Sequence, residues 1–311
     1  MIKDTVPATM ESKEINSGLL MRLFTLFLYN ISRIPCVRRL RKHPERILLV
    51  SSKLCIKATA FTTLTEANAM EFVANNTSIP VPKVYCSFKH KGRVYILMER
   101  IRGRDLSQDW TQRSEASKTR ILAQLKTLIT ELRRIPPPDG VSVANVDGGP
   151  VFDQRLPDKS FWGPFATIQE FHRELRRGLE LHDDEEAFPG LRELIEFYNG
   201  LWEDPVFTHG DLSSLNIMAD GDTVTGIVDW ESAGWMPPYW EYTSAVLWRI
   251  LTELQLYDSF IITIVHHSKP SWHKCLSAKQ IIQGHFASVK TVVEQLEHRA
   301  GSTRLSAQCT T

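Results

Sequence analysis

Two short apolar runs flank Asp220-Gly221-Asp222, and this stretch constrains the fold more than any other in the chain. Asn216 to Ala219 and Thr223 to Val228 are rich in apolar and β-branched residues, and Asp-Gly between such runs is a strong short-range hairpin signal. Folding back about Gly221 sets Asn216 and Asp229 at the same open end. Asp211 lies in the loop that feeds the first strand, so its carboxylate reaches the same corner. A side-chain amide oxygen beside a carboxylate suits magnesium, which takes one or two carboxylates together with phosphate oxygens. A separate carboxylate suits the orientation of an attacking hydroxyl. Each residue singly could be a turn cap; the three in this pattern point instead to phosphoryl transfer.

The Asp-x-x-x-x-Asn spacing of Asp211 and Asn216 is that of the kinase catalytic loop. The stretch resembles the catalytic centre of the aminoglycoside phosphotransferase / choline kinase-like family, whose fold is related to that of protein kinases. His209-Gly210-Asp211 stands where protein kinases have His-Arg-Asp, and Val228-Asp229-Trp230-Glu231 where they have Asp-Phe-Gly. TEANAMEFVANNTSIPVPKVY, YILMERIRG and GWMPPYWEYTSA are similar to segments of fungal members, and the similarity runs from Arg46 to Trp248. The resemblance implies an α+β, two-lobed protein kinase-like fold with a small N-terminal lobe built on an antiparallel sheet and a larger, mainly helical C-terminal lobe. It divides the chain into an N-terminal extension (1–45), a nucleotide-binding lobe (46–98) and a catalytic and substrate-binding lobe (99–311).

The same resemblance assigns roles. Asp211 orients or accepts the acceptor hydroxyl, and Asn216 and Asp229 hold Mg²⁺. Lys57, on the second of two short strands (Ile47–Val50 and Leu54–Ala58), holds the α- and β-phosphates of ATP. A helix begins near Thr65. At about 100° per residue, Ala69, Met70, Phe72 and Val73 share one side with Glu66, while Glu71 falls well off it. Glu66 is therefore the acid expected to pair with Lys57. Met98, Glu99 and Ile101 form the adenine-binding hinge, which Gly103 ends, and His209 supports the catalytic loop. One departure stands out: Arg38 to Lys53 contains no glycine, where a glycine-rich loop over the phosphates belongs.

With 311 residues and 42% hydrophobic content, the chain can bury one large core or two modest ones. A net charge of +1, without basic blocks interleaved with aromatics, gives no support to a nucleic-acid partner. The five cysteines are scattered and odd in number, which suggests reduced thiols in the cytoplasm. No oligomer is specified by any pattern. Leu19 to Ile34 is richly apolar, but Arg22, Asn30 and Arg33 interrupt it short of the span of about 20 apolar residues a bilayer requires. It reads as an amphipathic helix, with Arg22, Thr25, Tyr29 and Arg33 on a narrow polar stripe and Leu20, Leu23, Phe24, Phe27 and Ile31 on a wide apolar face. Packing of that face on the protein body is preferred over membrane-surface association through residues 19–34, because the stripe is thin in lysine.

Further expected features are strands at Lys83–Phe88 and Val94–Met98, a helix through Ile121–Leu132, and helices at Gln169–Leu181 and Leu191–Tyr198 around the acidic run Asp183–Glu186. Asp139 to Phe165 is expected to be a long loop near the substrate cleft. Trp235 is a candidate to reach substrate, Trp240 and Tyr242 are expected in the core, and the tail from Ala300 is expected to be disordered. The function read from these features is ATP- and Mg-dependent transfer of phosphate to a hydroxyl of a small molecule. The alternative is a catalytically weak or inactive kinase-like scaffold. A protein kinase is disfavoured, since no Ala-Pro-Glu signature or long activation segment follows Asp229.

Overall fold

The fold is α+β, with every strand pair antiparallel. A computed structural model describes residues 12–34, 47–60, 63–153, 156, 159–176, 178 and 191–241. In chain order these residues form α1 (Leu19–Ser32), β1 (Ile47–Leu49), β2 (Leu54–Thr59), α2 (Thr65–Asn76), β3 (Val84–His90), β4 (Arg93–Glu99) and β5 (Arg104–Asp105). They continue with α3 (Glu115–Leu132), β6 (Ala144–Asn145), β7 (Val151–Phe152), β8 (Phe161–Trp162), α4 (Ile168–Leu175), α5 (Leu191–Asn199), β9 (Val206–Thr208), β10 (Ile217–Asp220), β11 (Thr223–Ile227) and β12 (Gly234–Met236). The tail, Tyr242 and Asp183–Glu186 lie outside the described residues.

The first sheet has the order β1-β2-β4-β3 and lies between two helices. Because successive strand residues point to opposite faces, Cys55, Val94, Ile96 and Met98 meet α2 through Ala67, Met70 and Val73, while Ile56, Ala58, Tyr95 and Leu97 face α1. The same alternation turns Lys57 toward α2 and the interior. The helical phase expected for α2 holds: Glu66 is 2% exposed, and Glu71 is on the solvent side.

The orientation of α1 is a correction. The buried residues of α1 are Thr25 and Ser32, with Met21, Leu26, Leu28 and Tyr29 partly buried against the sheet. Arg22 is tied to Glu14 and stacks over Phe88, and Tyr29 meets Tyr95 edge-on with centroids 5.2 Å apart. Arg22, Thr25 and Tyr29 of the narrow polar stripe thus face the protein, Arg33 is exposed at the helix end, and Leu20, Leu23, Phe24, Phe27 and Ile31 face solvent. Polar side chains find partners here in Glu14 and the aromatic rings of the sheet, which the periodicity of the helix cannot reveal.

The hairpin β10–β11 forms as expected, with Gly221 in the left-handed region at φ 56° and a bulge between Met218 and Ala219. β5 pairs with β10 on its other edge. Gly103, at φ 98°, lets the chain enter that pairing, since a Cβ there would lie 2.2 Å from the Ala219 carbonyl oxygen. The tip is fastened to α3 and the residue before its cap: Arg113 donates to the Gly221 carbonyl at 2.6 Å, Gln124 to the Asp222 carbonyl at 2.7 Å, and Arg120 pairs with the Asp222 carboxylate. With its tip fixed, the hairpin holds its open end steady against the first sheet.

Residues 139–165 are also a correction. Instead of a structureless loop they contain β6, β7 and β8; β6 pairs with β12, and Val143, Val151 and Trp162 enter a core with α4, Tyr239 and Trp240. Strands of two residues leave almost no alternation to read. Helix α4 is shorter than expected, closing at the Arg176 cap.

Candidate active site

Lys57 sits at the centre of a ring of carboxylates. Its Nζ lies 2.8 Å from Glu66 Oε2, 2.6 Å from Asp229 Oδ1 and 3.1 Å from Glu231 Oε2. Burial works to lower the Lys57 ammonium, but the three carboxylates overcome it and hold the group above its ordinary value. Glu66 moves the other way for an acid: burial, the largest cause, and the repulsion of Asp229 and Glu231 push it up to about 7, against the pull of Lys57. Three carboxylates facing one ammonium leave surplus negative charge, and the oxygens of Glu66, Asp229 and Glu231 lie within 4.8 Å of one another, a donor set suited to a hard cation. Asp229 holds a left-handed conformation (φ 68°, ψ 60°) that aims its half-exposed side chain back toward β2.

The second half of the site is the loop His209–Asn216. Asn216 Nδ2 donates to the Asp211 carbonyl at 2.8 Å and to its carboxylate at 3.1 Å, so the amide nitrogen is turned toward Asp211. The Val228 N–H donates to the Asn216 carbonyl at 2.9 Å, which sets Asn216 beside the exit of β11 and one residue from Asp229. His209 is fully buried; its Nε2–H donates to the Val228 carbonyl and its Nδ1 accepts from the Asp211 N–H. The imidazole therefore links Asp211 to the residue before Asp229, a supporting geometry. Gly210 is required by φ 79° and by the Ser232 carbonyl oxygen, which would lie 2.3 Å from a Cβ.

Two acids were missed by sequence reasoning. Glu231 joins the Lys57 cluster. Glu241, 2% exposed, accepts from the backbone N–H groups of His209 (2.7 Å), Gly210 (3.4 Å) and Leu212 (3.3 Å), so one carboxylate clasps the loop that carries Asp211. Neither role has a local signal, because each depends on a partner brought close by the fold.

Met98, Glu99 and Ile101 do lie on the strap leaving the first sheet, but Met98 is buried and paired on both sides, with Cys55 and Val84. The N–H groups of Glu99 and Arg100 already bond the carbonyls of Lys83 and Lys53, both at 2.9 Å. Trp235 does not reach out for substrate: at 2% exposure it is a core residue, packed edge-on against Phe72 and Phe207 with centroids 5.6 and 5.0 Å away. It ties α2 to the sheet β6-β12-β9, which brings Glu66 within reach of the loops carrying Asp211 and Asp229.

Residues 54–274 match the profile of the phosphotransferase enzyme family, known as APH, which is well over half of the chain. The chain belongs to that family. All candidate residues of the site fall inside the matched span of the phosphotransferase family, whereas α1 precedes it. An aminoglycoside 3'-phosphotransferase of Niallia circulans is 28% identical over 170 residues, covering 54% of this chain and 58% of that protein. The chain thus matches little more than half the length of that relative. Among solved structures, the streptomycin–ATP–APH(2")-IIa ternary complex aligns with a TM-score of 0.50 at 17% identity, over 91% of this chain and 97% of that one. ADP-bound APH(2'')-Ib aligns with a TM-score of 0.50 at 15% identity, over 86% and 90%. These likenesses show an aminoglycoside phosphotransferase fold.

Proposed function

We propose that the chain is an ATP- and Mg-dependent phosphotransferase that moves a phosphoryl group onto a hydroxyl of a small molecule. The observation that carries this reading is the convergence of Asp211, Asn216 and Asp229 at the open end of the hairpin, with Lys57 2.6 Å from Asp229. Family membership and the nucleotide complexes of the structural relatives support it. In this reading residues 46–98 form the nucleotide-binding lobe and 99–311 the catalytic lobe, with 1–45 an extension.

Each side chain then has a task. Lys57, steered by Glu66, holds the α- and β-phosphates. Asp229 and the amide oxygen of Asn216 would hold Mg²⁺, which when bound neutralises charge developing on the transferred phosphoryl group. The surplus carboxylate charge around Lys57 fits that cation. Asp211 orients the acceptor hydroxyl; with a reference pKa near 3.9 it is a weak base, which matters little in a loose transition state where positioning supplies most of the acceleration. Met98, Glu99 and Ile101 are the adenine-binding hinge in this reading; because the N–H groups of Glu99 and Arg100 are engaged within the protein, the backbone donor to adenine falls to Ile101 and the strap beyond.

A scaffold without turnover is the second reading, favoured by the β1–β2 connection. There Ser51, not glycine, closes the turn, its Oγ accepting from the N–H groups of Lys53 and Leu54. One experiment separates the two: ADP release measured across a library of amino-alcohols, sugars and aminoglycosides, with Mg-ATP-induced thermal stabilisation measured in parallel. Asp211→Asn is expected to keep the stabilisation and to lose about 10²–10⁴-fold in transfer. Parental transfer by the variant would remove Asp211 from the catalytic role, and absence of both stabilisation and ADP release would establish the scaffold.

A further inference from the structure

The apolar face of α1 stands apart from the catalytic centre. Among the described residues, seven of the ten exposed large hydrophobics lie on or just past this one helix: Leu19, Leu20, Leu23, Phe24, Phe27, Ile31 and Ile34. Leu20 is 82% exposed and Phe27 60%. Scattered exposed leucines are ordinary on a protein surface, but a contiguous row of this kind marks a binding face. The face cannot be turned inward to escape water. Arg22 is held by Glu14 and Phe88, and Tyr29 by Tyr95 and Arg33, so the polar stripe is anchored to the sheet.

The charges around the face say what covers it. From Ile15 to Ile34 there is no acidic residue, and Glu14, just before, is committed to Arg22. The β3–β4 turn carries exposed Lys89, Lys91 and Arg93, again without an acid from Val84 to Met98. That turn adjoins the C-terminal half of α1: Tyr95 contacts both His90 and Tyr29, and Arg33 stacks over Tyr29 at 5.3 Å. An apolar helix face bordered by cations, with no acid in residues 15–34 or 84–98 among the described residues, is complementary to the surface of an anionic bilayer, where Leu and Phe enter the acyl boundary and Lys and Arg meet the headgroups. A second copy of the chain would set the same cations against one another. At 14 residues, α1 is too short to span a bilayer, and no described helix is long and apolar enough to cross a membrane.

We propose that α1 and the β3–β4 turn form a peripheral docking surface for anionic lipid, which places the protein on a membrane face with α1 between its first sheet and the bilayer. The proposal is independent of the catalytic reading. Lipid affinity should follow the apolar side chains and the cations separately, since each contributes on its own.

The test is cosedimentation of the full chain with vesicles of phosphatidylcholine alone and of phosphatidylcholine with phosphatidylserine. The expected result is binding to the serine-containing vesicles, weakened by raised salt. Binding should fall at least about tenfold in Leu20→Gln/Phe24→Gln/Phe27→Gln and several-fold in Lys91→Glu/Arg93→Glu. Parental melting temperatures exclude misfolding; these positions are exposed, and the second variant keeps the test decisive if the first folds poorly. Equal sedimentation of parent and both variants, or no sedimentation with either vesicle, would overturn the proposal. So would a dimer in light scattering that the triple variant dissolves, since the occupant would then be a second copy.

Discussion

Lys57 meets three acids and Glu241 meets three amides, and these two residues show how individual side chains hold the site. Lys57→Ala removes the cation that sits among Glu66, Asp229 and Glu231, so nucleotide-induced stabilisation should fall sharply. Glu66→Ala should weaken it less, because Asp229 and Glu231 still position the lysine, and Glu71→Ala should be near neutral. Thermal shift with Mg-ATP ranks the three. A reversed order for the glutamates would show that Glu66 does not steer Lys57. Glu241→Gln exchanges an acceptor of three N–H bonds for a group with its own donors, which leaves amides of the loop carrying Asp211 buried and unmatched. A loss of about 1–3 kcal/mol in urea unfolding is expected. Little change would mean that the clasp contributes nothing to stability.

At the scale of elements, the hairpin is held by contrasting glycines. Gly221 and Gly103 both have positive φ, but a Cβ at Gly221 meets nothing within 4 Å, while one at Gly103 meets backbone at 2.2 Å. Gly221→Ala should therefore cost roughly 1–2 kcal/mol, the left-handed penalty alone, and Gly103→Ala distinctly more, as denaturant midpoints would show. These elements also mark what could be read in advance. The hairpin, the phase of α2 and the facing of Glu66 were legible because turn chemistry and helical period are local. The facing of α1 was not: periodicity shows that two faces differ, and only Phe88, Tyr95 and Glu14 decide which one is covered. Pairings such as Trp235 with Ala144 are equally invisible, as are the partners of Glu231 and Glu241, since each joins residues far apart in the chain.

For the whole molecule, acid sensitivity has an identifiable source in the core between α4 and α5. His172, fully buried, donates from Nδ1 to the Tyr198 carbonyl, and its Nε2 lies 2.7 Å from the Tyr239 hydroxyl, which donates to it when the ring is neutral. Burial lowers it to about 4 from its ordinary 6.5, with the Tyr198 carbonyl opposing and Arg176 assisting. The unfolded chain therefore binds a proton more readily than the folded one between those values. The His172 contribution should be complete above pH 6.5 and decline as pH falls toward 4, by up to about 3 kcal/mol, whereas the raised carboxyl of Glu66 acts in the opposite sense up to about 7. His172→Gln should flatten that slope in melts taken across the range; an unchanged slope would remove His172 as the cause.

The distance along the chain between Lys57 and Asp229 has one more consequence, for the order in which the protein is made. The first sheet and α2 come from residues 47–99, so they can assemble as soon as that stretch leaves the ribosome, and Lys57 then has Glu66 alone. Asp229 and Glu231 arrive 172 and 174 residues after Lys57, along with the β5–β10 pairing that closes the chain between Arg104 and Ala219. Long-range pairings of this kind form late. A nascent chain therefore carries Lys57 and Glu66 long before Asp229 and Glu231, and the acidic ring around Lys57 is completed only once the β5–β10 pairing can form.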